Sequence, residues 1–524
     1  MRAHSTLGRT RRSAAGALGV IAIALAGCTA ALPTPAPTAS PTASPTPPII
    51  CDDGPNAHTP MPADCVVPSD AWMPSPILPS LRAEPKTTPI PTLPSGLATL
   101  PPTTPWHGRT VYSPPSGASA RLIGIGPDDT LYVLVARPLP VPKPTPTALF
   151  FVPDVAASVV AIRSDGSMRP GWPSAGVSVA GFPTSYKVNE DGTVFVASGP
   201  NPFGGKQNAL SQLTITAIGS DGKVLPGWPY RTPAAQQPLD PELLVPGPGG
   251  MVCFDNVKPG VVPSGYDVPM VIYCLGSNGK LLSGWPYSGN SLFDPAVGPD
   301  GTVYVAQTTS TELTSGVTTF PFQVLAIGLD GKPKPGWTPW NRTANQGITT
   351  ILPTKDGRVY MLLGGDAGTA QLVVVDGTGR PLSDRVESPD GRPNYKDAVL
   401  AADGTLVVAT GDGPQPYPDL VNAYTSTGSQ IAGWPQLIGG WGDLAVAPDG
   451  FVWVAWTVYG SGGASDESSI VALFDRDGNL QPGYPMASDY MISYDGDGLF
   501  VSSDGTAYAS TGTASGTAIV AISR

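Results

Sequence analysis

The sequence predicts an all-β fold, an eight-bladed β-propeller of four-stranded antiparallel blades over residues 118–524. Two recurring phrases carry this prediction. One reads SDGKVLPGWPY from Ser220 and SNGKLLSGWPY from Ser277, and the other reads DGTVFVA from Asp191 and DGTVYVA from Asp300. Copies recur about every 50 residues, a period typical of arrays of small repeated units.

Each repeat contains signals for four strands. The second phrase starts at Asp128, Asp191, Gly249, Asp300, Asp356, Asp403, Asp449 and Asp504. Asp-Gly favours a tight turn, and the alternating residues after it predict a strand that forms a hairpin with the apolar run upstream. A third apolar run leads into the DG…GWP phrase, which supplies another turn and a fourth strand. Four strands make one propeller blade, and one miscounted unit would give seven or nine blades.

A large ring usually lies four residues after the turn start and aligns with a small residue in the third strand. The aligned pairs are Tyr132 with Ala161, Phe195 with Ala217, Tyr304 with Ala326, Tyr360 with Val374, Val407 with Ala423, Trp453 with Ala472 and Tyr508 with Ala521. In one unit both positions are cysteines, Cys253 and Cys274. Because a disulfide requires close Cβ atoms, we expect these two positions to face each other across adjacent strands and to be bonded.

The ring needs a strand from elsewhere to close. The last unit stops at Ile522, without its fourth strand. The stretch WHGRTVYS from Trp106 to Ser113 is the nearest candidate donor. We therefore predict that the two ends of the regular region pair with each other.

Residues 1–27 read as an export signal, with several arginines followed by a short apolar stretch. The stretch ends in Leu25-Ala26-Gly27-Cys28, which resembles the lipobox of bacterial lipoproteins and implies acylation of Cys28; an ordinary secretory signal is the alternative. Residues 28–50 form a Pro/Thr/Ser-rich linker that favours an extended conformation. Residues 51–117 remain Pro-rich and irregular.

Five cysteines fit an exported protein, because disulfides persist outside the cytoplasm. With Cys28 assigned to lipid, three pairings of the remaining cysteines are possible. We predict Cys51–Cys65, which would close a small loop in a segment with little apolar content, and Cys253–Cys274.

The alternation of DGTVYVA, a third strand, DGK and Trp resembles the repeats of PQQ-like, or quinoprotein-type, β-propellers. The resemblance implies that one aromatic residue per blade docks against the neighbouring blade; these residues are Trp172, Trp228, Trp285, Trp337, Trp434 and Tyr484. The fifth unit reads GRPLSDR from Gly379 and lacks this residue, which predicts a weak seam. Quinone-dependent dehydrogenases of this family use vicinal cysteines and a calcium site, and this sequence shows neither, so their activity is not implied.

The sequence offers few groups for catalysis. The histidines are His4, His58 and His107, all outside the repeats, which excludes a histidine base or ligand within the blades. The net charge of −11 argues against nucleic-acid binding. No cofactor and no catalytic residue is predicted.

Three acids precede innermost strands and would surround one mouth of the channel: Asp294, Asp397 and Asp443. Such carboxylates could hold Ca²⁺, or they could bond the local backbone. Loop aromatics, Trp441, Trp456, Tyr459 and Tyr490, could contact a partner or could pack between blades.

These features predict an extracytoplasmic lipoprotein, anchored to the bacterial membrane or envelope, that binds or scaffolds a protein or glycan. The alternative is an extracellular carbohydrate-active enzyme that uses Asp and Glu residues, since such catalysis requires no histidine.

Overall fold

A computed structural model describes residues 100–140, 154–201, 210–236, 244–261, 268–308, 312–314, 317–344, 347–364, 370–382, 386–387, 394–411, 419–439, 442–458, 468–488, 491–492, 498–513 and 516–524. All of them belong to the second of two compact units, Pro89–Arg524. The predicted signal, the linker, Cys28 and the Cys51–Cys65 pair lie outside the described residues. Within the described ranges, no helix is long and apolar enough to span a membrane.

The strands form eight antiparallel blades, as predicted. Two strands precede the first blade, β1 (Thr104–Pro105) and β2 (Arg109–Tyr112). Blade 1 contains β3 (Ser119–Ile125), β4 (Leu131–Pro138), β5 (Val155–Ile162) and β6 (Val177–Val179). Blade 2 contains β7 (Phe182–Val188), β8 (Val194–Gly199), β10 (Thr214–Ile218) and β11 (Tyr230–Arg231), beside the short pair β9 (Leu210–Ser211) and β12 (Ala235–Gln236). Blade 3 contains β13 (Val245–Gly247), β14 (Met251–Val257), β15 (Pro269–Leu275) and β16 (Tyr287–Asn290), with a 3-10 turn at Pro248–Gly250. Blade 4 contains β17 (Leu292–Val297), β18 (Val303–Thr308), β20 (Val317–Ile327) and β21 (Trp340–Ala344), and β19 (Glu312–Thr314) pairs with β20.

The remaining blades follow the same order. Blade 5 contains β22 (Gly347–Pro353), β23 (Val359–Gly364), β24 (Gln371–Val375) and β25 (Val386–Glu387). Blade 6 contains β26 (Asn394–Leu400), β27 (Leu406–Gly411), β28 (Asp419–Tyr424) and β29 (Gln436–Ile438). Blade 7 contains β30 (Gly442–Val446), β31 (Val452–Val458), β32 (Ser468–Phe474) and β33 (Met486–Ser488). Blade 8 contains β34 (Met491–Ile492), β35 (Leu499–Val501), β36 (Ala507–Thr513) and β37 (Gly516–Ile522).

The inner strand is the first strand of blades 1–7 and consists of β34 and β35 in blade 8, where both pair with β36; these inner strands contact one another around a closed ring. The hydrophobic core is divided among the interfaces between blades. Eight buried clusters each combine residues of two neighbouring blades, and the last joins blade 8 to blade 1. Because each blade buries both faces against its neighbours, no single blade could retain its core alone.

The predicted closure between the chain ends is confirmed. Strand β2 pairs antiparallel with β37 and forms the outer strand of blade 8, with Arg109 opposite Ala521 and Tyr112 opposite Ile519. The side chain of Val111 is buried in the cluster shared by blades 8 and 1. Strand β1 adds to blade 7 by pairing parallel with β33. Residues 104–112 therefore belong to the ring, upstream of the boundary expected at residue 118.

The predicted alignment of second-strand and third-strand positions is correct in seven blades, where the two residues of each pair lie directly opposite each other. The Cys253–Cys274 disulfide is present, with a Cα–Cα distance of 4.2 Å. The alignment is wrong in blade 7, where Trp453 lies opposite Leu473 and Ala472 lies opposite Val454. Gly478 with its positive φ fixes the turn after β32, and counting back from this glycine gives the observed register.

Candidate functional site

The antiparallel strand order gives the ring two different faces. The turn face carries the turns between inner and second strands and between third and outer strands, which are the Asp-Gly turns of the repeats. The loop face carries the connections between second and third strands. These span residues 139–154, 200–213, 258–268, 309–316, 365–370, 412–418, 459–467 and 514–515. The turn-face connections are similar in sequence except in blade 5, whereas the connections that start from the loop-face strand ends differ in length and sequence.

The inner strands begin at the loop face, and several contain a bulge there. The register shifts between Pro183 and Ser185 in β7, and similar shifts occur near the starts of β17, β22 and β26; the shift in β3 lies nearer the turn face, between Leu122 and Gly124. A bulge interrupts the hydrogen-bond ladder and redirects side chains. Two of the predicted acids, Asp294 and Asp397, lie in the bulged segments of β17 and β26.

The carboxylate of Asp397 binds backbone on two blades. Its Oδ1 accepts from the N–H of Ala398 at 2.7 Å, and its Oδ2 accepts from the N–H of Leu444 in blade 7, also at 2.7 Å. One of these bonds is to local backbone, as the alternative predicts, and the other joins blade 6 to blade 7. Both oxygens already accept strong hydrogen bonds, which leaves less capacity for a cation.

The other two candidate acids are Asp443 and Asp294. Asp443 is half-buried in β30, opposite Ala455, and it has polar interactions of its own. The side chain of Asp294 lies outside the described residues. Among the residues that the structure describes, no three His, Cys, Asp or Glu side chains are grouped so that they could hold a metal ion. Calcium binding at these acids stays a prediction.

In other blades, hydroxyl groups on the inner, second or third strand make hydrogen bonds to the next blade. The Oγ of Ser185 accepts from the N–H of Leu244 at 3.2 Å, the Oγ of Ser510 accepts from the N–H of Leu122 at 2.7 Å, and the Oγ of Ser469 accepts from the N–H of Ile492 at 2.8 Å. Each bond joins a side-chain oxygen of one blade to the inner strand of the next. Hydrogen bonds between blades at the loop-facing ends of inner strands thus recur around the ring.

The aromatic residues singled out in the sequence separate into two groups. Trp456 is buried between blades 6 and 7, with 3% of its surface exposed, so it packs between blades. Trp441, Tyr459 and Tyr490 lie outside the described residues. Beside the loop face, the structure exposes Leu139, which follows β4 and is 44% exposed.

The turn-face aspartates are occupied by their own turns. The N–H of Thr405 donates to Asp403 Oδ1 at 2.9 Å, and the N–H of Thr302 donates to Asp300 Oδ1 at 3.0 Å. The Thr405 hydrogen bond holds the pKa of Asp403 below its ordinary value. For Asp300, burial would raise the pKa, but hydrogen bonds from Lys334 and Thr302 outweigh it and lower the pKa. These repeated aspartates stabilise turns.

The aromatic residues expected to dock between blades are all partly or fully buried at blade interfaces. Four of them donate to a carbonyl of the next blade: Trp228 Nε1 to Ser277 at 3.0 Å, Trp285 Nε1 to Leu329 at 3.0 Å, Trp434 Nε1 to Arg476 at 3.0 Å and Tyr484 Oη to Ser523 at 3.0 Å. The peptide bonds from these four residues to the following prolines are cis. Trp172 and Trp337 instead donate to Val159 and Val324 in their own blades.

The blade without a docking aromatic is joined to its neighbour by polar contacts. In blade 5, Tyr360 Oη donates to the carbonyl of Gly404 in blade 6 at 3.0 Å. Arg358 Nη1 donates to the carbonyl of Ser426 at 2.7 Å. Burial raises the pKa of Tyr360 to about 12, so this phenol stays a hydrogen-bond donor over the physiological range.

Comparison with known proteins finds similarities among solved structures alone. The sequence matches no family model and no curated protein. Among solved structures, the Dos1 propeller is 9% identical, with 80% of this chain and 95% of that chain covered and a TM-score of 0.42. The propeller domain of the trilobed protease from Pyrococcus furiosus is 11% identical, with 65% and 94% covered and a TM-score of 0.36. Hydrazine synthase from Kuenenia stuttgartiensis is 14% identical, with 65% and 96% covered and a TM-score of 0.39. These similarities concern the fold alone.

Proposed function

We propose that this protein is an extracytoplasmic lipoprotein whose propeller, built from PQQ-like repeats, binds a protein or glycan partner through its loop face. One observation carries the proposal: the connections between second and third strands, which differ most between blades in length and sequence, all leave from strand ends on the same face. A propeller in general supports binding or scaffolding, and a face that varies in sequence is where partner recognition is expected.

The two faces differ in which parts of the backbone their side chains hold by hydrogen bonds. On the turn face, aspartates such as Asp403 are held by hydrogen bonds within their turns. At the loop face, blade-to-blade hydrogen bonds such as the one from Leu444 to Asp397 fix the inner strands. A rigid ring that carries variable connections is a favourable scaffold for recognition, because little order must be gained on binding.

The anchor follows from the sequence of residues 1–50. The lipobox at Leu25–Cys28 supports acylation of Cys28, and the Pro-rich residues that follow favour an extended spacer between membrane and ring. Mass spectrometry of the mature N-terminus tests the anchor. We expect diacylglyceryl cysteine at position 28 and release of the protein from membranes by Cys28→Ser; an unmodified N-terminus cleaved elsewhere would contradict it.

Two matched substitutions test the binding face. Leu139 beside the loop face is 44% exposed and Leu329 on the turn face is 48% exposed, so Leu139→Glu and Leu329→Glu place the same charge at equally exposed leucines. The unmodified protein and both variants would be compared on a glycan array and by cross-linking in the native envelope. We expect Leu139→Glu to weaken binding and Leu329→Glu to leave it unchanged, and the reverse result would contradict the assignment.

The same experiment separates binding from catalysis. Each glycan that is bound would be incubated with the protein and its products analysed by mass spectrometry. Binding without turnover supports the proposal, whereas turnover would establish a carbohydrate-active enzyme.

A further inference from the structure

A cavity of about 210 Å³ lies between blades 6 and 7, next to the indole of Trp434. Its apolar walls include Val407, Ala423 and Ile431 from blade 6 and Val452 from blade 7. Val407, Ala423 and Trp434 are all buried, with exposures of 0%, 1% and 6%. An interior normally leaves few voids larger than a water molecule, so a space of this size requires a cause.

The cause is the absence of a ring at one repeat position. In four other blades, the second-strand ring contacts the docking aromatic of its own blade: Tyr132 and Trp172 at 5.6 Å between centroids, Phe195 and Trp228 at 5.7 Å, Tyr304 and Trp337 at 5.3 Å, and Trp453 and Tyr484 at 5.5 Å. In blade 6 this position is Val407, which lies opposite Ala423. Val407 and Ala423 therefore line the space beside Trp434 where other blades have a ring, and the ring that packs on Trp434 is that of Phe474 from blade 7, with centroids 5.7 Å apart.

The same position also lacks a polar contact to the next blade. Elsewhere the ring reaches the glycine of the neighbouring inner-to-second turn, because Tyr360 Oη donates to Gly404 and Trp453 Nε1 donates to Gly505. The equivalent residue beside Val407 is Gly450, which lines the cavity. Valine carries no donor, and the side chain that lies against Gly450 is instead that of Arg476, at the turn-face mouth of the cavity.

Charged side chains surround the mouth of the cavity on the turn face. Asp403 comes from blade 6, and Arg476 and Asp477 come from blade 7; all three are exposed. Arg476 Nε donates to the carbonyl of Asp449 at 2.8 Å, and Arg476 Nη1 lies 3.7 Å from Asp403 Oδ2. Two carboxylates and one guanidinium give this mouth a net negative charge.

We propose that this cavity binds a small organic ammonium ion with a ring-sized apolar body. An apolar cavity of about 150 Å³ holds benzene, so the space beside Trp434 has room for a ring with a short substituent. The ring would contact Trp434, Val407 and Ala423, and the ammonium group would lie among the carboxylates of the mouth. A cationic group beside the two mouth carboxylates is favoured over a neutral or anionic one. The site is on the turn face, so it is distinct from the proposed partner surface.

Benzylammonium is the probe for a direct test on the full-length protein. Isothermal titration calorimetry would measure its affinity beside those of toluene and phenylacetate, and a crystal grown with benzylammonium would locate it. We expect benzylammonium to bind more tightly than either analogue, with density beside Trp434. No binding, tighter binding of phenylacetate or density at another place would overturn the proposal.

Two substitutions with a matched control connect binding to the cavity. Val407→Tyr restores the ring of the other blades, and we expect it to reduce benzylammonium affinity more than tenfold. Val224→Tyr makes the same substitution at a site on the turn face of blade 2 that is 40% exposed, and we expect no change in affinity. Asp403→Asn removes one mouth charge, and we expect a roughly two- to fivefold loss for benzylammonium and none for toluene. If Val407→Tyr does not fold, Val407→Leu gives a smaller loss, and unchanged affinity in the folded variant would contradict the proposal.

Discussion

Reduction of the Cys253–Cys274 disulfide should destabilise the ring by an amount that its sequence separation sets. The two cysteines are 21 residues apart. By the chain-entropy relation, such a cross-link contributes roughly 3 kcal/mol by restricting the unfolded chain. Unfolding entropy is about 2.1 cal/mol/K per residue, so for a ring of about 400 residues this loss corresponds to a fall in Tm of about 4 °C.

The measurement is thermal unfolding followed by circular dichroism, with and without reductant. Cys51→Ser/Cys65→Ser gives a background in which only Cys253 and Cys274 can form this bond, and intact mass after alkylation verifies reduction. Equal Tm values for the oxidised and verified reduced protein would refute the cross-link argument.

A pair of double variants then separates the cross-link from the packing at this position. Cys253→Ala/Cys274→Ala removes the bond and leaves a void, whereas Cys253→Tyr/Cys274→Ala restores the pairing seen at Tyr304 and Ala326. Deleting buried atoms costs stability in proportion to the cavity that remains. We therefore expect the Tyr/Ala variant to unfold at the higher temperature of the two, and the opposite order would show that blade 3 has no room for the ring.

Three further predictions concern closure, blade contacts and acid stability. Deletion of residues 1–113 removes β1 and β2, including buried Val111, and should lower the free energy of unfolding of the whole ring by several kcal/mol, whereas deletion of residues 1–99 should not; denaturant titration of both checks this. Asp397→Ala leaves the N–H of Leu444 without its acceptor and should cost about 1–3 kcal/mol with faster amide exchange at Leu444, while Asp397→Asn, which keeps one acceptor oxygen, should cost less. The lowered pKa of turn aspartates such as Asp403 gives stability that is complete above the ordinary Asp pKa of about 3.9 and is lost as pH falls through the lower folded-state value, so the denaturant midpoint should be level from pH 7 to 5 and fall below pH 4, less steeply in Asp403→Asn.

Repetition explains why so much of the fold could be predicted. Eight turn starts gave the blade count, and the missing fourth strand after Ile522 indicated the closure that β2 provides. The coincidence of Cys253 and Cys274 at facing positions gave the disulfide. Each inference compared copies of one unit within the chain, and the copies share a backbone geometry because they solve the same packing problem.

The predicted alignment of the second and third strands is wrong in blade 7. The sequence alignment pairs Trp453 with Ala472, but Trp453 lies opposite Leu473. Hydrogen bonding and the turn at Gly478 set the register, and a one-residue slip would turn every side chain of β32 to its other face. The position of Gly478 therefore gives the correct register of β32.

The sequence contains one feature that relates to the cavity beside Trp434. Val407 is the one position of its aligned set that carries neither a ring nor a cysteine. A missing ring indicates a void only if the neighbouring blade does not fill the space. That condition depends on side chains contributed by blade 7, which are distant in sequence: Phe474 packs on Trp434 with ring centroids 5.7 Å apart, and Val452 and Arg476 line the space that remains.

The sequence by itself determined the repeat, its turns, the strand periodicity and the pairing of the two chain ends, because these depend on local conformational preference and on the burial of alternating apolar residues. Only the tertiary structure decided how blades meet: that Asp397 binds the N–H of Leu444, that Tyr360 and Arg358 join the blade without a tryptophan, and that Trp434 has an empty space beside it. These contacts join side chains on different blades, so their distances follow from ring closure and packing and not from any single repeat.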